Sequence, residues 1–328
     1  MSCIIHKGAF GKMENIPVID VSGLRSPDLP DRLHVAKALG QACREVGFFY
    51  IVGHGISQAT RKNIFDAAEQ FFKSSNEIKE SVSMKFSPHG RGYVGLGMEQ
   101  LDTEAVDRKE AFNMGLELPS DDAEVLAGAP FRGPNLWPGI PGWRDTMVDY
   151  FNTCHQLEYI IHRGVALDLG LDEEFFTEKL HRPGAFVRLV RYPPVEECDV
   201  PGSLGAGEHT DYGMITILAT NSVLGLQVRR RDGVWIEAPN IEDAFVCNIG
   251  DLMMRWTNDV YVSTPHRVRL PDTERYSVVF FMEPNPSTSV ETIPTCIPPG
   301  GVAHYEPVNA GDYLRERLNA IFNFDKVN

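Results

Sequence analysis

The chain has 328 residues, 43% hydrophobic and 23% charged, so it carries enough apolar material to bury the core of one large or two ordinary domains and too little charge to stay disordered. Its formal charge of −14 repels phosphate backbones, so nucleic acid is not an expected partner. No run of apolar residues is long enough to cross a bilayer, and residues 1–13 have neither the apolar core nor the cleavage site of a signal peptide; a soluble cytoplasmic protein with no membrane partner is expected.

In chain order, IPVIDVSGL (16–24) reads as a short strand. The next segment, DRLHVAKALGQACREVG, places Val35, Leu39, Cys43 and Val46 on one helical face, with Asp31 as the expected cap and Gly47 as the stop. FFYIVGHGIS (48–57) is expected as a buried strand closing in a Gly-His-Gly turn, where His54 is structural. A second amphipathic helix follows Ser57, with Ile64, Ala68, Phe71 and Phe72 inward. Residues 87–133, rich in Gly, Pro and acidic side chains, read as long loops with short elements, of the kind that wall a site. A long helical pattern from Gly142 to Gly170 runs through Trp143, Met147, Phe151, Cys154, Leu157 and Ile161, and its His155 and His162 are packing or surface residues rather than ligands.

Beyond Pro183 the pattern changes to strands. AFVRLVRYPP, MITILAT, GLQVRRRDGVWIEAP, AFVCNIG, HRVRL and RYSVVFFMEP are short, β-branched or aromatic, and separated by turn residues at the spacing of a β-sandwich or barrel. RDG marks a hairpin turn, which makes arginines 229–231 a solvated tip. A final helix, NAGDYLRERLNAIF, closes the chain. The predicted fold is α+β: a double-stranded β-helix (jelly roll) core with a helical N-terminal region and a C-terminal helix. Residues 1–130 form the helical and loop-rich region and 131–328 the jelly-roll region, with strands mainly at 184–285, as one integrated catalytic unit. The six cysteines, at 3, 43, 154, 198, 247 and 296, include no CxxC pair and read as reduced thiols.

GEHTDYGMITIL (207–218) sets His209 and Asp211 one residue apart before a run of β-formers. Taken alone, such a pair is more often a hydrogen-bonded strand end than a metal site. Further along, STPHRVRL puts His266 at the start of another strand. Two imidazoles and a carboxylate on a β scaffold have the composition of the facial triad that holds Fe(II) in non-haem oxygenases, although zinc suits the same ligands. Period-two alternation in RYSVVFF then puts Arg275 and Ser277 on one strand face, where a guanidinium and a hydroxyl cradle a carboxylate. The plain alternative is an exposed polar strand face.

These motifs, with IPVIDVSGL, GFFYIVGHGI, RGYVGLGMEQLD, DRKEAFNMG, YPP, GLQV, NIGDLMMRWTND, TPHRV, RYSVVFFMEPN and YEPVNAGDYLRERL in that order, resemble the isopenicillin N synthase-like family of 2-oxoglutarate- and Fe(II)-dependent oxygenases along nearly the whole chain. The resemblance implies that His209, Asp211 and His266 bind iron and carry catalysis. It implies that Arg275 and Ser277 hold the distal carboxylate of 2-oxoglutarate, helped by Tyr192. Val190 stands where the family commonly has asparagine two residues before that tyrosine, which removes a minor contact. The implied reaction consumes O2 and 2-oxoglutarate, releases succinate and CO2, and hydroxylates an unactivated C–H of a small organic metabolite, with desaturation and ring closure as known variations. Ascorbate is the expected stimulant in vitro.

Two other readings remain at this level: an Fe(II) oxidase of the same fold that uses no 2-oxoglutarate, with Arg275 and Ser277 gripping a substrate carboxylate, and a non-catalytic metal-binding barrel, against which the unbroken triad stands. For the substrate, alternation from Tyr192 turns Val190, Arg188 and Phe186 to one side and Arg191 to the other, while Val279 and Phe281 follow Ser277 inward. Arg188 is then either the polar anchor of a flat or partly apolar substrate packed on Phe281 near Tyr212, or the partner of an internal carboxylate such as Asp102 or Glu99.

Overall fold

The computed structural model describes residues 16–99, 107–197 and 203–322. Strands β1 (Val18–Asp20) and β2 (Phe48–Val52) pair in parallel, which requires a crossover, and helix α1 (Leu29–Glu45) supplies it. The helix begins ahead of the expected cap. Asp28 takes the N-cap position and Pro30 sits in the first turn, where its missing N–H costs nothing, so Asp31 is already helical and its carboxylate accepts the Ser26 hydroxyl at 2.7 Å.

Gly47 does stop the chain's helical course, with φ at 70°. A Cβ there would come within 2.2 Å of the Val262 carbonyl oxygen. Gly47→Ala is therefore expected to lower the unfolding free energy by about 2 kcal/mol or more, the left-handed backbone contributing about 1–2 kcal/mol and the backbone collision the rest. Urea denaturation checks it; an unchanged midpoint would mean that this corner accommodates a side chain.

Helix α2 (Gln58–Phe72) is capped by Ser57, whose Oγ accepts the Thr60 N–H at 3.0 Å, and it buries Ile64, Ala68, Phe71 and Phe72. Helix α3 (Asn76–Ser81) leads to β3 (Gly92–Val94) and β4 (Glu110–Gly115), and α4 (Ala123–Leu126) follows. β4 is one of the short elements expected in this region. All six of its residues are buried, so both faces are covered and no alternation marks it. Helix α5 (Trp143–Asp168) buries His155 and His162, whose ring nitrogens meet the backbone carbonyls of Leu180 and Glu158. His54 is likewise buried, its ring accepting the Ile56 N–H and facing the Asp243 carbonyl.

The other strands of the two larger sheets are β5 (Phe186–Tyr192), β6 (Leu204–His209), β7 (Ile215–Thr220), β8 (Leu226–Arg229), β9 (Trp235–Glu237), β10 (Phe245–Ile249), β11 (His266–Arg269) and β12 (Arg275–Phe281); α6 (Asp251–Trp256) follows β10 and α7 (Ala310–Phe322) comes last. They form an eight-stranded sheet in the order β1-β2-β10-β7-β12-β5-β4-β3 and a four-stranded sheet in the order β6-β11-β8-β9. This is the α+β jelly roll expected from the sequence. β2 pairs with β10 and β4 with β5, so strands from before residue 130 share the large sheet with those after it.

Alternation divides the large sheet into two faces. Val187, Leu189, Ile217, Val278 and Phe280 pack outward under Phe71, Trp143, Phe151 and Ile161 of α2 and α5. Val190, Tyr192 and Val279 turn the other way and share an inner cluster with Ala206, Leu226, Val228 and Val268 of the small sheet. The register of β12 on β5 sets Arg275 opposite Tyr192, Ser277 opposite Val190, Val279 opposite Arg188 and Phe281 opposite Phe186, so the inward side chains of the two strands lie side by side.

Among the described residues Cys43, Cys154, Cys247 and Cys296 are free and buried. The arginines of the β8–β9 hairpin are occupied: Arg229 pairs with Glu208, Arg230 with Asp232, and Arg231 donates to the Arg44 carbonyl. No described helix is long and apolar enough to cross a membrane.

Candidate metal and cosubstrate site

β6 ends on His209 and β11 opens on His266, and the two strands are antiparallel neighbours with these residues directly opposite. Opposite residues project to the same face, which brings the ring centroids to 4.3 Å. Asp211, two residues past the end of β6, places Oδ1 3.9 Å from His209 Nε2 and 3.6 Å from His266 Nε2. One ligand atom from each of the three lies within 4.8 Å of the others.

Each ligand is aimed by a second contact. Nδ1 of His209 meets the Gly207 carbonyl at 2.8 Å and Nδ1 of His266 the Thr264 carbonyl at 3.2 Å. A carbonyl only accepts, so Nδ1 carries the proton and Nε2 keeps its lone pair for a metal. Asp211 Oδ2 accepts from the Thr216 hydroxyl at 2.6 Å and the Asn248 amide at 2.7 Å, which leaves Oδ1 to the imidazoles. Burial, with the neighbouring His266, lowers the His209 pKa to about 3. Burial opposes the Asp211 charge too, yet His266, His209 and the Thr216 hydroxyl hold its carboxyl below the usual range. Two nitrogen donors and one carboxylate oxygen converging from rigid strand ends fit Fe(II), with coordination positions left for other ligands.

Arg275 is 1% exposed. Its Nε donates to the Val223 carbonyl at 3.2 Å and the guanidinium lies 4.9 Å from the centre of the Tyr192 ring. Nη1 is buried with no partner, and among the described residues no carboxylate pairs with this cation. Burial drives its pKa down against the pull of Tyr192. An orphaned, buried guanidinium nitrogen is costly unless an anion meets it, and the buried Ser277 stands beside it on the same face. The pair fits the carboxylate of a small dianion such as 2-oxoglutarate.

Between the sheets lies a cavity lined by nine residues singled out in the sequence: Tyr192, His209, Asp211, His266, Arg275, Ser277, Arg188, Tyr212 and Phe281. Phe281 stacks on Phe186 with centroids 4.8 Å apart. Arg188 faces this space but is paired with Glu99 and reaches Asn113 Oδ1 at 3.3 Å. Lys109 Nζ is 3.4 Å from the same Glu99 carboxylate and 2.9 Å from Asp107. Asp102, the other carboxylate considered for Arg188, lies outside the described residues. Arg191 points away and binds Glu110 and Glu274 at 2.9 and 2.6 Å.

Sequence reasoning missed Thr216 and Asn248, which orient Asp211. Asn248 carried a signal: it is the one polar residue of the apolar run FVCNI, and a polar side chain in a buried strand needs a partner.

Two family models match the chain: the N-terminal region of non-haem dioxygenase in morphine synthesis over residues 16–139, and the 2OG-Fe(II) oxygenase superfamily over residues 183–284. A homoarginine-6-hydroxylase of Glycine max is 37% identical over 296 residues, covering 86% of this chain and 89% of that protein. A full-length Neurospora crassa protein crystallised with α-ketoglutarate, the same compound as 2-oxoglutarate, superposes with a TM-score of 0.83 at 34% identity, covering 93% of this chain and 96% of that one. The same Neurospora crassa protein with both α-ketoglutarate and thymine bound gives a TM-score of 0.81 at 33% identity, with the same shares of the two chains covered.

Proposed function

The chain belongs to the 2OG-Fe(II) oxygenase superfamily and is a 2-oxoglutarate- and Fe(II)-dependent dioxygenase, and from that premise we propose the part each of its residues takes. His209, Asp211 and His266 hold the iron; Arg275 and Ser277, with Tyr192 beneath the guanidinium, hold the distal carboxylate of 2-oxoglutarate. Bound there, Fe(II) with 2-oxoglutarate and O2 supplies the oxidising power to hydroxylate an unactivated C–H, with succinate and CO2 as co-products and ascorbate as a stimulant. The observation that carries the cosubstrate role is the buried, unpartnered Nη1 of Arg275 in the same cavity as the three ligands.

The protein's own contribution is positioning and exclusion of water. Thr216 and Asn248 keep Asp211 from rotating its free oxygen away from the imidazoles. The Arg275 fork fixes one end of the cosubstrate, so its other end meets the iron in a single pose. Regions 1–130 and 131–328 act as one catalytic unit in this reading, because β2 and β4 build the wall that β5, β7, β10 and β12 complete. We place the enzyme in the cytoplasm, where its buried thiols stay reduced.

The substrate is a small organic metabolite, of the kind of the thymine bound to the Neurospora crassa protein and the homoarginine in the name of the Glycine max hydroxylase. Arg188 anchors its carboxylate or carbonyl near the Phe186–Phe281 stack and Tyr212. A metabolite screen for compounds that stimulate succinate release, with thymine and homoarginine included, identifies the substrate. Arg188→Leu should then raise the substrate KM about 10- to 100-fold, the loss of a charged hydrogen bond of about 1.5–3 kcal/mol. Slow, substrate-free decay of 2-oxoglutarate should persist, because it needs the iron site and not the substrate wall. Normal substrate KM and coupling in this variant would make Arg188 only a partner of Glu99.

A further inference from the structure

Glu283 is 3% exposed and lines the same cavity, two residues past Phe281. The backbone around it remains tied to the edge of β7: Met282 N donates to the Ile215 carbonyl at 3.1 Å, and Met214 N to the Met282 carbonyl at 2.8 Å. The inward alternation of Arg275, Ser277, Val279 and Phe281 therefore carries on to Glu283. Gly213 makes room for the carboxyl, since a Cβ there would sit 2.3 Å from Glu283 Oε1.

What sets this residue apart is its lack of a partner. Glu99, the cavity's other glutamate, is matched by Arg188 and Lys109. Glu283 makes no hydrogen bond and no ion pair among the described residues, and the charges that act on it, Asp211 and Asp251, are both negative. With burial, they push its carboxyl well above the usual range. Among the described residues nothing offsets the cost of burying this group, and a hydrophobic side chain would fill the position at no such cost. A carboxyl kept at that cost in a ligand cavity, with no cationic side chain paired to it among the described residues, is matched to something that arrives with the ligand.

We propose that Glu283 binds a cationic nitrogen group of the substrate, an ammonium or a guanidinium, through its N–H donors. This rests on the hydroxylase reading above and narrows its substrate class. Arg188 stands opposite Val279, four residues before Glu283, or about 13 Å along the strand at about 3.3 Å per residue. Long side chains reach in from both ends, so the substrate is a small, mostly aliphatic molecule with a carboxylate or carbonyl at the Arg188 end and a protonated nitrogen at the Glu283 end. The C–H to be attacked lies between them, on the side of His209, Asp211 and His266.

The test is calorimetric titration without O2 of protein loaded with Fe(II) and 2-oxoglutarate, using L-homoarginine, L-lysine, thymine and L-homocitrulline, the last being a neutral urea close in shape to the guanidinium compound. The wild type should bind homoarginine or lysine at least ~10-fold more tightly than homocitrulline, the loss expected when one charge-assisted hydrogen bond becomes neutral. E283Q should bring that ratio to about 1. Wild-type preference for homocitrulline or thymine, failure of both cations to bind, or full discrimination retained in E283Q would each overturn the proposal. The wild-type ratio alone decides the matter if E283Q does not fold. Substrate-free conversion of 2-oxoglutarate to succinate by the same wild-type sample reports on the hydroxylase reading separately, and its absence would sink that reading whichever ligand binds.

Discussion

His209→Ala, Asp211→Ala and His266→Ala are each expected to abolish turnover. Loss of a partner that merely orients a ligand costs about 10- to 100-fold in metal affinity, and loss of the ligand itself costs more. Three ligands leave no redundancy, and the positions they do not fill are needed by 2-oxoglutarate and O2. The same variants separate binding from chemistry in a thermal melt run without O2. Fe(II) at about 100 times its Kd should stabilise the wild type by about 2.7 kcal/mol and leave the alanine variants unmoved. Full activity of any one variant at micromolar iron would refute the triad.

The second large effect falls on the cosubstrate. Arg275→Gln should raise the KM for 2-oxoglutarate by about 100-fold or more, since a charge-assisted bidentate contact is worth roughly 2–4 kcal/mol. The variant should not lose its fold, because the guanidinium it removes is buried with one nitrogen unmatched. Succinate release at saturating 2-oxoglutarate is the readout. If the 2-oxoglutarate KM stays put while the substrate KM climbs, Arg275 grips substrate and the residues work as they would in an oxidase that needs no cosubstrate.

Much of this site is local in the chain, and for that reason it was legible. The triad residues sit at strand ends inside contiguous motifs, and Arg275 and Ser277 are two apart on one strand, so identity and a period of two suffice to bring them to one face. The same rule, carried along β5, put Phe186, Arg188 and Tyr192 inside and Arg191 outside, as the structure has them. Helices α1, α2 and α5 show their buried faces in a period of 3.6 because one side of each is covered, that of α1 chiefly by α5.

β4 could not be found that way. It is covered on both faces and carries no alternation, and its identity as a strand depends on β3 and β5 arriving on either side. The start of α1 lies three residues ahead of the expected cap: Asp28 takes the N-cap position, and Pro30 in the first turn is the sequence signal that favours it. The chain by itself thus determined the fold class, and residue type with short-range periodicity singled out the three side chains proposed as metal ligands and the two proposed as a carboxylate fork. Only the tertiary structure decided which charges meet: Arg188 finds Glu99 across 89 positions, Asp211 finds Asn248 across 37, and Glu283 finds no counterpart among the described residues. Charge pairing is set by which distant strands the sheet makes neighbours, and a period along one strand carries no information about what stands opposite it.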